Sequence, residues 1–287
     1  MGTLACAALM AALLAFSDAA MTAARAAAQC FNQGVLPALL PMMVLGKMLP
    51  ECTKAEHSLL NRITPFCFGL AAGSPASAQR AAELYAAMPR TRWEQLLCAT
   101  GVMSPMFLCG TLAGWLGSLG VGRRMLAVHW LGAWITALIW PLFSRQEEEA
   151  AAEIPCQPVK RPTLSAAIAQ SAQALLCVCG AMMVFSVLAA LLKSLLGTVF
   201  PAWTAQHEAW LAVLWALLEI GSGSSAVIGI VEEPYALLSA LCGFGGLSIW
   251  LQNLLFLDTK IRPGRLICMR ALHGAVSYGI VRLVRPF

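Results

Sequence analysis

Charge is what this chain has least of: Asp, Glu, Lys and Arg make up 11% of its 287 residues, against 59% hydrophobic. A mean hydropathy of +0.73 is far above what a water-soluble domain of this size needs, so a polytopic membrane protein is expected. No Walker loop is present, which argues against a nucleotide-driven pump. HExxH and Gly-x-Ser-x-Gly are missing as well, and no Ser stands near a His or Asp as a catalytic pair would, so no enzyme is expected. His57, His129, His207 and His273 are scattered, and Cys177-Val-Cys179 has no second pair at zinc-like spacing. Neither a metal nor another cofactor is therefore expected, and no nucleic-acid partner. The eleven cysteines are odd in number and lie mostly inside apolar segments, which suggests packing rather than a disulfide framework. The first 20 residues lack the basic start of a signal peptide and are followed by further apolar runs, so they read as a retained helix.

What the chain does have is an internal repeat. Leu70 to Ala78 reads LAAGSPASA, and 148 residues later Leu218 to Ala226 reads LEIGSGSSA; the two share Leu, Gly-Ser and Ser-Ala. Their surroundings repeat too. Gln29 and Asn32 precede Gln170 and Gln173 by 141 residues, and PMMVL (Pro41 to Leu45) precedes AMMVF (Ala181 to Phe185) by 140. Leu96, Leu97 and Ala99 lead into Met103-Ser104-Pro105, as Leu237, Leu238 and Ala240 lead into Phe244-Gly245-Gly246. A repeat on this scale sets the architecture. The division expected is an N-terminal transmembrane helix at 1–29, a first repeat at 30–143, a connector at 144–163 and a second repeat at 164–287.

Stretches of about 20 apolar residues, enough to cross the hydrocarbon core, occur near 3–20, 31–50, 95–117, 125–143, 164–196, 236–257 and 266–284. Two others, Pro65 to Met88 and Trp210 to Val231, carry the Gly-Ser sentence at their middles. Such breaks expose backbone groups that lipid cannot satisfy, so both are expected to be re-entrant hairpins facing protein or water. With the connector in the cytoplasm, eleven basic residues fall inside: Lys54, Arg62, Arg80, Arg90, Arg92, Arg145, Lys160, Arg161, Lys260, Arg262 and Arg265. Outside fall only Arg25, Arg123, Arg124, Arg282 and Arg285. The fold expected is thus all-α, with seven spans and two hairpins, the N-terminus cytoplasmic and the C-terminus outside. Each half makes an odd number of crossings, which inverts one half relative to the other, as in transporters.

Inverted repeats bring interrupted helices together near the midplane, where half-helix N-termini offer N–H groups to an anion. The candidate binding residues are Gly73, Ser74 and Ser77 in the first hairpin and Gly221, Ser222, Ser224 and Ser225 in the second. Ser104 and Gly245-Gly246 mark the broken crossing helices, and Gln252 and Asn253 follow two turns later. The competing reading is that Gly and Ser here only let helices pack closely. Glu219, an acid inside an apolar run, could carry a coupling proton or bind a cation. Alternatively it caps the helix at the hairpin tip; its counterpart in the first half is Ala71.

GLAAGSPASAQ (Gly69 to Gln79), SPMFLCGTLAG (Ser104 to Gly114), LLEIGSG (Leu217 to Gly223) and GFGGLSIWLQN (Gly243 to Asn253) resemble signature segments of the YlbJ-like sporulation integral membrane proteins. These belong to the nucleoside-recognition, or Gate, domain group, and the resemblance covers roughly residues 30–284. It implies a cell-membrane or forespore-membrane protein of a spore-forming bacterium that moves a small organic anion, dipicolinic acid, during endospore formation. The partners expected are the anion, the lipid bilayer, and further copies of the chain or other sporulation membrane proteins. Two other functions stay open: a non-transporting membrane partner or scaffold of spore maturation, and a carrier of a nucleoside-like solute.

Overall fold

The computed structural model describes residues 2–49, 59–143 and 162–284, and among these there are helices and no strands. The charges Lys54, Arg145, Lys160, Arg161 and Arg285, and nearly all of the connector expected at 144–163, lie outside the described residues. Among the described residues five helices are long and apolar enough to span a membrane: Ser17–Met48, Leu119–Phe143, Leu164–Val199, Tyr235–Lys260 and Pro263–Leu283. Large apolar side chains on them point outward, among them Leu138 (74% exposed), Leu142 (83%) and Leu176 (70%). A surface of that kind suits lipid. The molecule is an all-α integral membrane protein.

The chain begins with α1 (Thr3–Ala15), α2 (Ser17–Cys30) and α3 (Leu36–Met48). Through the π-helical turn Phe31–Val35, α2 and α3 form one rod, so Gln29 and Asn32 sit exposed in mid-helix. Because α1 stops at Ala15, only 13 residues long, it is shorter than the span expected over 3–20. Then α4 (Leu59–Ala72) and α5 (Ala76–Glu83) fold back on each other as the first hairpin. Next, α6 (Arg90–Thr100) stops at Gly101, and residues 101–104 are non-helical. Ser104-Pro105 restarts the helix in the manner of an N-cap followed by proline at the first helical position. The Ser104 hydroxyl accepts from Phe107 N at 3.2 Å. This restarted helix runs through a π-helical stretch, Phe107–Leu112, into α7 (Ala113–Trp115), and the span expected over 95–117 is therefore two half-helices.

After the long α8 (Leu119–Phe143), the second half opens on α9 (Leu164–Val199), capped by Thr163, whose hydroxyl accepts from Ala166 N. Phe200, held out of the helical region by Pro201, ends α9. A short α10 (Pro201–Gln206) leads to α11 (Glu208–Leu218) and α12 (Ile220–Ile230), the second hairpin. Its helices approach so closely that a Cβ on Gly223 would strike the backbone of Ala216. The second broken helix is α13 (Tyr235–Phe244) and α14 (Gly246–Leu257), parted by Gly245 at φ +87°. Last comes α15 (Pro263–Leu283), pressed on α13 where a Cβ on Gly243 would lie 2.8 Å from Gly274 Cα. Small residues at such crossings let backbones approach where lipid supplies no hydrophobic drive.

The halves interlock. One core joins Ala78 and Ala81 of α5 and Trp93 and Leu97 of α6 to Leu257 of α14 and Leu266 and Met269 of α15. Another joins Met103, Leu108 and Leu112 of the first half to Ala212, Ala216, Ile220 and Leu238 of the second. The first hairpin thus packs through α5 on α14, part of the broken helix of the other half, as well as on its own α6, while the second packs on its own α13 and α14.

Candidate functional site at the helix breaks

In the first half the hairpin tip rests on the break. Ser74 N donates to Val102 O at 2.7 Å, and a Cβ on Gly73 would lie 2.6 Å from both Ser104 Cα and Ser104 N. Gly73 itself has φ +69°, open to glycine at little cost. Ser74 and Ser77 are buried, at 8% and 2% exposure, and the Ser77 hydroxyl has no hydrogen-bond partner among the described residues. Ser104 is half-buried. The structure therefore brings Gly73, Ser74 and Ser104 together.

The second half makes the same junction with the glycine on the other side. Gly246, at φ +72°, sits under the second hairpin: a Cβ there would lie 3.0 Å from Ala216 O, 3.3 Å from Leu217 O and 3.6 Å from Ile220 N. Gly221 and Gly245 are buried beside it. Ser224 is fully buried with an unpartnered hydroxyl, as Ser77 is in the first hairpin. Ser222 and Ser225 are exposed, so they face away from this packed junction. Gln252 and Asn253 are buried on α14, the helix that packs on α5. The Gln252 amide donates to Ser248 Oγ at 3.1 Å within its own helix, while Asn253 Oδ1 has no partner among the described residues.

Glu219 is a cap. Its carboxylate accepts from Gly221 N at 2.9 Å, from Ser222 N at 2.7 Å and from the Ser222 hydroxyl at 2.9 Å. An acid at a helix N-terminus meets free N–H groups and the positive end of the helix dipole. Replacing it with Ala should cost about 0.5–2 kcal/mol, the usual worth of such a cap. Glu219→Gln keeps an acceptor and should leave the pH profile of any transport as in wild type; a profile flattened by Glu219→Gln would return the acid to a coupling role.

Two groups of residues that do not stand out in the sequence are assembled by the fold. At the start of α6, Glu94 is 1% exposed and receives Arg265 Nε and Nη2, both at 2.7 Å, Arg90 Nε at 2.9 Å and Trp140 Nε1 at 2.8 Å. Arg90 also donates to Lys260 O at 2.6 Å, tying α6 to the segment before α15. Burial alone would raise the Glu94 pKa; the bonds from Arg265, Trp140 and Arg90 outweigh it and hold the carboxyl below its ordinary value. The second group is Arg270, His129 and His273, all at 3% exposure or less. His129 Nε2 accepts from Met103 N at 2.8 Å, and His273 Nε2 donates to His129 O at 3.0 Å. The signal available in the sequence is Arg270 and His273, one helical turn apart inside an apolar span. His129 lies 141 residues or more from both, and no local spacing connects it to them.

Among the described residues no group of three His, Cys, Asp or Glu side chains is placed to hold a metal ion, and the nine described cysteines are free. What fold and site together define is an all-α membrane protein with two tip-on-break junctions. No family model, curated protein or solved structure matches the chain.

Proposed function

We propose that the protein is a membrane transporter of a small organic anion. The observation that carries this reading is the duplicated junction: each half sets a polar hairpin tip against the unwound part of a helix, at Ser74–Val102 and at Gly246 under Ala216 to Ile220. Interrupted helices meeting in pairs are how transporters hold an anion between two repeats that move against each other. The finer assignment takes 30–143 and 164–287 as inverted repeats, with the N-terminus cytoplasmic, the C-terminus outside, and the site at the tips and breaks. The resemblance to the YlbJ-like sporulation proteins points to dipicolinate as substrate and to the cell or forespore membrane as location. Transport would follow a gradient or be coupled to an ion.

Purified protein in liposomes should take up labelled dipicolinate with saturable kinetics, while empty liposomes show none. Saturable uptake of a nucleoside instead would change the substrate class. Folded, correctly inserted protein that moves neither solute would sink the transporter reading in favour of a sporulation scaffold or partner subunit.

A further inference from the structure

Arg270 stands inside α15, a helix long and apolar enough to cross a membrane, and is 3% exposed. A guanidinium removed from water is costly unless its charge and its donors are met. No acidic side chain is paired with it among the described residues. Its bonds go to backbone: Nη1 donates to Gly101 O, and Nη2 to Leu97 O at 3.3 Å. These carbonyls close α6, where the helix dipole offers about half a negative charge against the full positive one. Two of the five N–H groups are used in this way, and Nε has no acceptor among the described residues.

Beside it a second donor is idle. His129 Nε2 is an acceptor, for Met103 N, so the ring is neutral and carries its proton on Nδ1, which is buried and has no partner among the described residues. The His129 and His273 rings lie 4.5 Å apart. Arg270 brings a full positive charge, and with His129 neutral the idle donors, Arg270 Nε and His129 Nδ1, outnumber the one idle ring nitrogen able to accept, Nδ1 of His273. What completes such a cluster is an anion, and a planar carboxylate matches the guanidinium fork.

The position fits as well. The cluster holds one side of the unwound segment 101–104, through Gly101 O and Met103 N, while the first hairpin tip holds the other, through Ser74 N to Val102 O. A Cβ on Gly101 would collide with the Arg270 guanidinium, so this contact requires glycine there. We infer that Arg270, aided by His129, is a carboxylate-binding subsite of the transport path, reached when the tip of the first hairpin lifts from Val102. This rests on the transporter reading and names the group that meets the substrate's charge.

The test is calorimetric titration of the purified full chain in detergent with two probes, dipicolinate and the uncharged pyridine-2,6-dicarboxamide. Wild type should prefer the dicarboxylate. Arg270→Gln should weaken dicarboxylate binding by at least ~10-fold and leave the amide unchanged, as loss of one charge-assisted contact predicts. Should Arg270→Gln fail to fold, Arg270→Lys serves: it keeps the charge, loses the fork, and should still weaken the dicarboxylate severalfold. Dicarboxylate binding unchanged in the folded variant, or no preference for the dicarboxylate in wild type, overturns the subsite. Liposome uptake separates the two readings. Wild type that binds through Arg270 but transports nothing refutes the transporter alone, and uptake with unaltered KM in Arg270→Gln refutes the subsite alone.

Discussion

Glu94→Ala is expected to lower the detergent melting temperature on the order of 10 °C. The carboxylate is 1% exposed and gathers three donor side chains from three helices, and its removal takes the shared acceptor from Arg265, Arg90 and the Trp140 indole together. Breaking a buried ion pair by deleting one member costs about 3–5 kcal/mol. Arg90 and Arg265 keep 29% side-chain exposure, so water relieves part of the loss and the lower end, about 3 kcal/mol, is expected. At roughly 2–4 °C per kcal/mol for a chain approaching this length, that gives about 6–12 °C. Acid should act in the same direction. Because the folded-state pKa is depressed, the stabilisation is present above the ordinary glutamate value and is lost as pH falls through the lower folded one. Glu94→Gln should therefore melt low at neutral pH and lose less on acidification than wild type does. A melting temperature within two degrees of wild type in both variants, for which roughly 1 kcal/mol would suffice, would show that the network contributes little. The network also joins α6 of the first half to α15 of the second. If the halves move against each other, it is one of the contacts that must open.

Much of the fold is legible in the sequence because lipid and backbone chemistry leave few options. Apolar length marks the spans, and Gly-Ser or Ser-Pro inside an apolar run marks where the helix must stop. The interruptions appear at Gly73, Ser104 and Gly245, as expected from the residues, and in the second hairpin at Glu219, two residues before Gly221. That small shift has a physical cause, since the carboxylate can satisfy the N–H groups of Gly221 and Ser222 only from the N-cap position. The N-terminal boundary at 29/30 is less visible, because Ser17–Met48 continues through it as a helix. Side-chain partnership is not legible in this way. Glu94 meets Arg265 across 171 residues and Arg270 meets Gly101 across 169, and such pairs are made by the interlock of the halves rather than by any local pattern. Residue type alone also does not tell which serines point inward: Ser77 and Ser224 do, Ser222 and Ser225 do not.

Gly73→Val should remove both the folded junction and uptake. Two independent costs fall on this one position. The backbone sits at φ +69°, where a β-branched side chain is a true outlier, at about 1–3 kcal/mol. A Cβ would also lie 2.6 Å from Ser104 Cα and N, and backbone on both sides leaves no flexible side chain to yield. The tip must lift, which breaks Ser74 N to Val102 O and uncovers the segment that His129 and Arg270 hold from behind. Gly246→Ala tests the matching contact in the second half. Its φ of +72° is equally unfavourable, but the nearest atom, Ala216 O, is 3.0 Å away and a slight shift suffices. Measured by melting and by dipicolinate uptake in the same liposomes, the order of damage should be Gly73→Val, then Gly246→Ala, then Ser222→Leu, which alters an exposed side chain. A Gly73→Val protein that melts and transports like wild type would mean that the hairpin tip does not bear on the break. Uptake lost in Ser222→Leu while Gly73→Val stays active would put the site on the outer face of the second hairpin and away from both junctions.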